Sequence, residues 1–140
     1  MRRVGALRRW LVAAALSTAL LAPPDALGAA PVATLKTRDF GTVLTRPDHQ
    51  ALYYWTVEKQ AGGQIRCTGQ CANLWPPLLA RSATAVPRRI AGIRGTFGVI
   101  RRPGGALQLT RNGLPLYTYV HEGPRQVRCD NVDGWFAVRV

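Results

Sequence analysis

Residues 64–79, QIRCTGQCANLWPPLL, run from Gln64 to Leu79 and decide how the chain is read. They hold two of the three cysteines, one of the four tryptophans and the Pro76-Pro77 pair. Cys71 to Trp75 has the length of one helical turn. That turn must stop at Trp75, because a proline pushes the residue before it out of the α region. Leu78 and Leu79 resume an apolar run and are expected in the core. Cys67 and Cys71 would close a five-residue loop, worth about 2 kcal/mol in the chain-entropy model. A bridge from either to Cys129 would close about sixty residues and be worth ~4 kcal/mol on the same model. Loop size alone favours the long bridge and leaves the pairing open.

On the N-terminal side, Phe40 to Thr45 reads as a strand rich in β-branched residues. Arg46-Pro47-Asp48-His49-Gln50 supplies turn chemistry, since Pro presets φ and Asp bonds its own backbone nearby. Ala51 to Val57 reads as the second strand of a hairpin. Alternation on a strand puts Tyr53 and Trp55 on one face, Leu52 and Tyr54 on the other. Both faces are large and apolar, which implies burial on both sides or one face kept for binding. Residues 29–39 read as a lead-in, with Val32 to Leu35 a possible edge strand.

On the C-terminal side, residues 80–96 are irregular and basic, with Arg81, Arg88, Arg89 and Arg94, and read as a surface connection. The first pattern then returns. Phe97-Gly98-Val99-Ile100 echoes Phe40-Gly41-Thr42-Val43, and Arg102-Pro103-Gly104-Gly105 echoes the Pro47 turn. Leu116-Tyr117-Thr118-Tyr119 with Glu122 echoes Leu52-Tyr53-Tyr54-Trp55 with Glu58, and Gln126 to Cys129 echoes Gln64 to Cys67. Ala106 to Thr110 reads as an extra strand closed by the turn at Asn112-Gly113, the strongest short hairpin signal. Trp135 to Val140 reads as a terminal strand, with Trp135 standing where Trp75 stands. Such self-similarity marks a duplicated unit. The expected fold is mainly β: a single domain over 40–140, with two pseudo-repeated antiparallel units at about 40–79 and 97–140. They would pack as a small sandwich or partly closed barrel, with one short helical turn near Cys71–Trp75.

Residues 1–28 carry four arginines, then thirteen uncharged residues from Trp10 to Ala22, then small residues. This is the three-part pattern of a cleaved secretory signal, with Ala26 and Gly28 suited to a cut before Ala29. The apolar run is shorter than the roughly 20 residues a membrane span needs, and no lipid-attachment cysteine precedes Cys67. Arg8-Arg9-Trp10-Leu11 loosely resembles a twin-arginine signal. Export to the periplasm or medium, with no transmembrane segment in the mature chain, is the expectation. From Ala29 onward there are fifteen basic and six acidic residues, a formal +9, nearly all of the basic ones arginine. Such charge favours anionic partners, and export turns that away from nucleic acid toward envelope components or an acidic envelope protein.

With both units laid out, the chain resembles a bacterial family of secreted and lipoprotein repeats of unknown function. The family's mark is Tyr-x-aromatic-x-x-Asp, often followed by Cys–Gly–Cys–Ala running into Trp-Pro-Pro. Here it stands as Tyr53-x-Trp55-x-x-Glu58 and Tyr117-x-Tyr119-x-x-Glu122, with Cys67, Gly69, Cys71, Ala72, Trp75, Pro76 and Pro77 in the second segment. Both motif acids are Glu rather than Asp. The resemblance implies a Cys67–Cys71 disulfide within the first repeat, with Cys129 the odd thiol.

For chemistry, three thiols with His49, His121 and Glu122 could suit copper or zinc, and Cys129, His49 and His121 are the candidate metal ligands. The c-type haem signature is missing, as are Gly-x-Ser-x-Gly and His-Glu-x-x-His, so no catalytic residue is assigned and no cofactor is required. Glu58 and Glu122 could pair for acid–base work, but a carboxylate just past a strand more often bonds backbone or an arginine. The aromatics are either cross-strand core or a stacking groove rimmed by arginine. The leading expectation is an exported, non-enzymatic envelope module binding an anionic or aromatic-stacking ligand or a protein. The alternative is extracytoplasmic metal or haem handling through Cys67, Cys71, Cys129, His49 and His121.

Overall fold

A computed structural model describes residues 29–140, so the signal segment read at 1–28 lies outside the described residues. Short antiparallel sheets dominate, with two short helices and no closed barrel among the described residues. The chain begins with a hairpin, β1 (Ala33–Lys36) on β2 (Thr42–Thr45), in which Thr34 faces Leu44. A second hairpin of the same kind, β5 (Phe97–Arg101) on β6 (Leu107–Arg111), sets Val99 against Leu109. After each hairpin the chain turns back. Leu52 N–H donates to Leu44 O and Leu116 N–H to Leu109 O, both at 3.0 Å. The Asn112-Gly113 turn carries φ of 50° and 78°, the left-handed pair a two-residue hairpin requires, and leads into β7 (Leu114–Pro115).

A third segment closes each unit, and it comes from the other half. Leu44 N–H donates to Val138 O (2.7 Å) and Val138 N–H to Leu52 O (2.9 Å). Leu109 N–H donates to Leu78 O (2.8 Å) and Leu78 N–H to Leu116 O (2.9 Å). The two sets form identical three-bond rings, which makes Val138 the counterpart of Leu78. So β4 (Leu79–Ala80), at the end of the first half, pairs with β6 of the second. In return β8 (Trp135–Ala137), near the end of the chain, pairs with β3 (Tyr53–Trp55) of the first. The halves exchange their last strands. Their pseudo-twofold passes between Tyr53 and Tyr117, which trade backbone hydrogen bonds of 2.8 and 3.0 Å.

This crossing creates two buried layers. Leu44, Leu52 and Val138 meet Leu109 and Leu116 between the hairpins, and Leu78 packs against them. The four leucines at 44, 52, 109 and 116 are almost wholly buried, each worth roughly 1.5–3 kcal/mol by area. On the opposite face Tyr53, Tyr117, Trp75, Trp135, Cys67 and Cys129 make the second layer. The alternation expected from Leu52-Tyr53-Tyr54-Trp55 holds, because Tyr53 and Leu52 lie in different layers.

Several expectations change. The edge strand expected at Val32 to Leu35 is present as β1, but its counterpart is β5, so Phe97-Gly98 does not match Phe40-Gly41. The strand over 106–110 is not extra, since β6 answers β2. The turn after β5 answers the one at Thr37–Gly41, and Asn112-Gly113 answers the Pro47 turn. Backbone pairing fixes these equivalences through unlike side chains, which the sequence echo cannot register. The strand expected over 51–57 ends at Trp55, and Thr56–Gln60 forms the helix α1. Glu58 is drawn inward there by tertiary partners, overriding the β-branched Thr56 and Val57. Gln70–Leu74 forms α2, the expected helical turn, ended by Trp75 and Pro76. Leu79 is 54% exposed rather than core, because β4 turns its face outward at the edge of the sheet.

Candidate functional site

The repeated motif builds the interior. Tyr53 Oη donates to Glu122 Oε1 at 2.6 Å, and Tyr117 Oη donates to Glu58 Oε1 at 2.7 Å. Each tyrosine therefore reaches the acid of the other half. Each acid also gathers backbone from its own half: Glu58 Oε1 accepts from Arg66 and Cys67 N–H, Glu122 Oε1 from Arg128 N–H. Both carboxylates are buried, and hydrogen bonds to a charged group are the stronger kind. Burial, and then the acid each one faces, push the Tyr53 and Tyr117 phenols well above their usual range. Burial also raises the Glu122 carboxyl, against the lowering effect of Tyr53 and the Arg128 and Cys129 amides. Each Glu side chain thus meets the tyrosine of the opposite half while keeping its own backbone contacts.

The other motif rings stack on one another. Trp75 and Trp135 lie face to face across the pseudo-twofold at 4.0 Å and 9°. Trp55 stacks outside Trp135 (5.2 Å, 2°), and Tyr119 packs at a tilt outside Trp75 (4.8 Å, 37°). Tyr53 meets Trp75 edge-on, and Tyr117 meets Trp135 likewise. Each such pair is worth ~0.5–1.5 kcal/mol beyond its buried area. The central rings are buried and the outer two half-buried, so the middle of this stack is core. Pro76 and Pro77 follow Trp75, where Thr118 N–H donates to Pro76 O and Pro77 bridges Tyr117.

Cys67 and Cys71 form a disulfide, and Cys129 is a buried free thiol. Burial, and next the Glu122 carboxylate, push that thiol above its usual range, which makes it a poor nucleophile. The metal expectation is corrected here. Among the described residues no group of three or more His, Cys, Asp or Glu is placed to hold an ion. His121 packs edge-on against Tyr119, and His49 sits in the Pro47 turn with φ of 68° and its Nδ1 buried without a partner. With Cys67 and Cys71 bonded to each other, the five expected ligands do not assemble.

The surface site lies where the halves cross. A cleft of about 270 Å³ opens between Tyr54 and Lys59 of the first half, Arg111, Asn112 and Leu114 of the second, and Arg139 beyond the exchanged strand. No Asp or Glu among the described residues lines it. Lys59 Nζ lies 5.7 Å over the Tyr54 ring, within cation–π range, and Phe136 stacks against that ring at 5.9 Å. Arg139 is paired with Asp130 at 2.8 Å, which raises its guanidinium and lowers the acid. Among the described residues Arg111 has carbonyl partners alone. Its Nε and Nη2 donate to Arg94 O, and its Nη1 donates to Arg139 O. Burial, and then the Arg94 charge, pull the Arg111 guanidinium below its usual value. Sequence reasoning placed Tyr54 on a strand face and Asn112 in a turn but did not bring either together with Lys59, Arg111 and Arg139. Lys59 and Arg139 are eighty positions apart, and only the strand exchange brings them together.

Residues 34–79 match a family model described as a secreted repeat of unknown function. The match begins inside β1 and ends inside β4, and so spans the first structural half. No curated protein and no solved structure matches the chain. Among the described residues no helix is long and apolar enough to cross a membrane.

Proposed function

We propose that residues 29–140 form an exported, non-enzymatic envelope module that binds an anionic group in the Lys59–Arg111–Arg139 cleft. Export by the 1–28 segment places it in the periplasm or the medium, in line with a repeat described as secreted. The observation that carries the reading is Arg111: a half-buried cation with carbonyl partners, a neighbouring Arg94 charge and no carboxylate. A desolvated charge is costly unless it is paired, and an anion in the cleft would pair it. Lys59, Arg139 and the Asn112 amide supply further donors at the same opening. The Tyr54 ring, between Lys59 and Phe136, gives the cleft one aromatic wall beside its cations.

Titration with pyrophosphate, followed by amide chemical shifts, tests the proposal. The expected shifts cluster at Tyr54, Lys59, Asn112 and Arg139, and weaken as salt rises. Lys59→Ala lowers the affinity about five- to tenfold, in line with losing roughly 1 kcal/mol of charge pairing. Shifts scattered over the surface, or unchanged affinity in Lys59→Ala, overturn it.

A further inference from the structure

A second cationic feature lies beside the cleft. Arg111 reaches from its floor to the carbonyl of Arg94, and Asn112 Oδ1 accepts from Thr96 N–H at 2.9 Å. Gly95, with φ of 109°, lies so close that an added Cβ would meet Arg111 Nε and Asn112 Oδ1 at 2.9 Å. Residues 89–95 line a neighbouring open concavity, joined to the cleft through the Arg111 and Asn112 side chains. Ile90 and Ile93 bridge each other and pack against the leucine layer, and Phe97 N–H donates to Arg88 O. The loop is thus pinned by its apolar residues, while Arg88, Arg89 and Arg94 stand exposed. Neither ion pair among the described residues involves them.

Resting on the anion-binding reading of the cleft, we infer that its ligand is a flexible linear polymer of repeating anionic groups. One group sits against Lys59 and Arg111, and the following ones run out along Arg94, Arg89 and Arg88. A single small anion would leave the loop arginines without a role. A bilayer is a poorer partner, because the isoleucines that could enter it point into the core and the turn tip offers only Ala91 and Gly92. The cationic groups also begin in a concavity, which a thread can enter and a flat surface cannot. Arginine forks accept phosphate and carboxylate alike, so the shared chemistry is a repeated anion on a flexible chain.

The test compares pyrophosphate, long-chain polyphosphate, alginate and phosphatidylglycerol vesicles as probes, using wild type, Lys59→Ala and the double variant Arg88→Ala/Arg89→Ala. Thermal melts check that both variants fold. Wild type should bind at least one polymer more than tenfold tighter than pyrophosphate. The loop variant should lose about tenfold for that polymer, with a salt slope shallower by roughly 1–2, and the loss should be confined to polymer. Lys59→Ala should weaken pyrophosphate and polymer together. Polyphosphate against alginate identifies the anion. Equal polymer affinity in the loop variant and wild type overturns the inference, as does binding to vesicles without either soluble polymer. Failure of pyrophosphate to bind wild type instead overturns the reading of the cleft itself.

Discussion

From the cysteine beside its clasp to its stacked tryptophan, the first half of the molecule takes eight steps, Cys67 to Trp75, and the second takes six, Cys129 to Trp135. The longer route is bridged by the disulfide and carries α2, whose end is marked by Trp75 N–H donating to Cys71 O. The shorter route has no disulfide. It bends through Asn131, Asp133 and Gly134, all at positive φ, with Val132 bridging Trp135. Asp130 then holds the exit by accepting from Ala137 N–H and pairing with Arg139. Yet both routes deliver the same contacts: a tryptophan against its twin, a tyrosine on the opposite acid, and the same three-bond ring. Contacts at the pseudo-twofold are common to both halves, while the segments between them differ, so the disulfide secures one connector rather than the fold's centre.

That distinction can be tested, beginning where the effect should be greatest. Trp75→Ala and Trp135→Ala each remove a buried ring from the centre of the stack. Each should cost about 3–5 kcal/mol in urea unfolding, with the double variant well short of the sum because the rings touch. A large difference between the two single variants would break the equivalence of the halves. Replacing Cys67 and Cys71 with serine should cost about 2 kcal/mol, while native Cys129 should react with a thiol reagent only on unfolding. Native-state labelling of Cys129 would show that the second connector opens on its own. Tyr53→Phe and Tyr117→Phe each leave a buried carboxylate with its amide donors but without the phenol, for a loss of about 1–2 kcal/mol. Matched losses in a stability assay would confirm the reciprocal clasps.

The smallest expected effect is on pH dependence, where two acids act in opposite directions. The Glu122 carboxyl is raised by burial. Its contribution to stability is full below its unfolded value of about 4.3 and is lost as pH rises through the raised folded value. Asp130 is lowered by Arg139, so its contribution is present above about 3.9 and lost as pH falls through the folded value. Urea midpoints over a pH series should show Glu122→Gln flattening the decline that sets in above the unfolded value of about 4.3. Asp130→Asn should flatten only the acid limb. An unchanged profile in Glu122→Gln would mean that the buried carboxyl does not titrate differently on folding.

Local chemistry made much of this legible in the sequence. Pro76 marked the end of α2, Asn112-Gly113 marked the β6–β7 turn, and alternation assigned Tyr53 and Leu52 to different layers. The Cys67–Cys71 bridge followed from family resemblance, against the loop-size argument. The missing pieces were those whose cause lies far along the chain. Thr56 and Val57 favour a strand by type, but Glu58 turns inward toward Tyr117, fifty-nine residues away. The matching of β1 with β5 rests on backbone pairing, Thr34 with Leu44 and Val99 with Leu109, while the two strands, ATLK and FGVIR, share little sequence. The cleft needs Lys59 beside Arg139, and no periodicity predicts a strand exchange.

That exchange also sets an order of events. The partner of Tyr54 is Phe136, eighty-two residues later, and Leu44 waits for Val138. A ribosome delivers the N-terminus first, so the leucines and aromatics of the early half are synthesised long before their partners exist. Residues 34–79 cannot complete their own sheet from within, and a nascent chain stays open until Trp135 to Val138 are made. Contacts of such high sequence separation make folding slow. The last strand is therefore the step that commits the whole chain to its folded form.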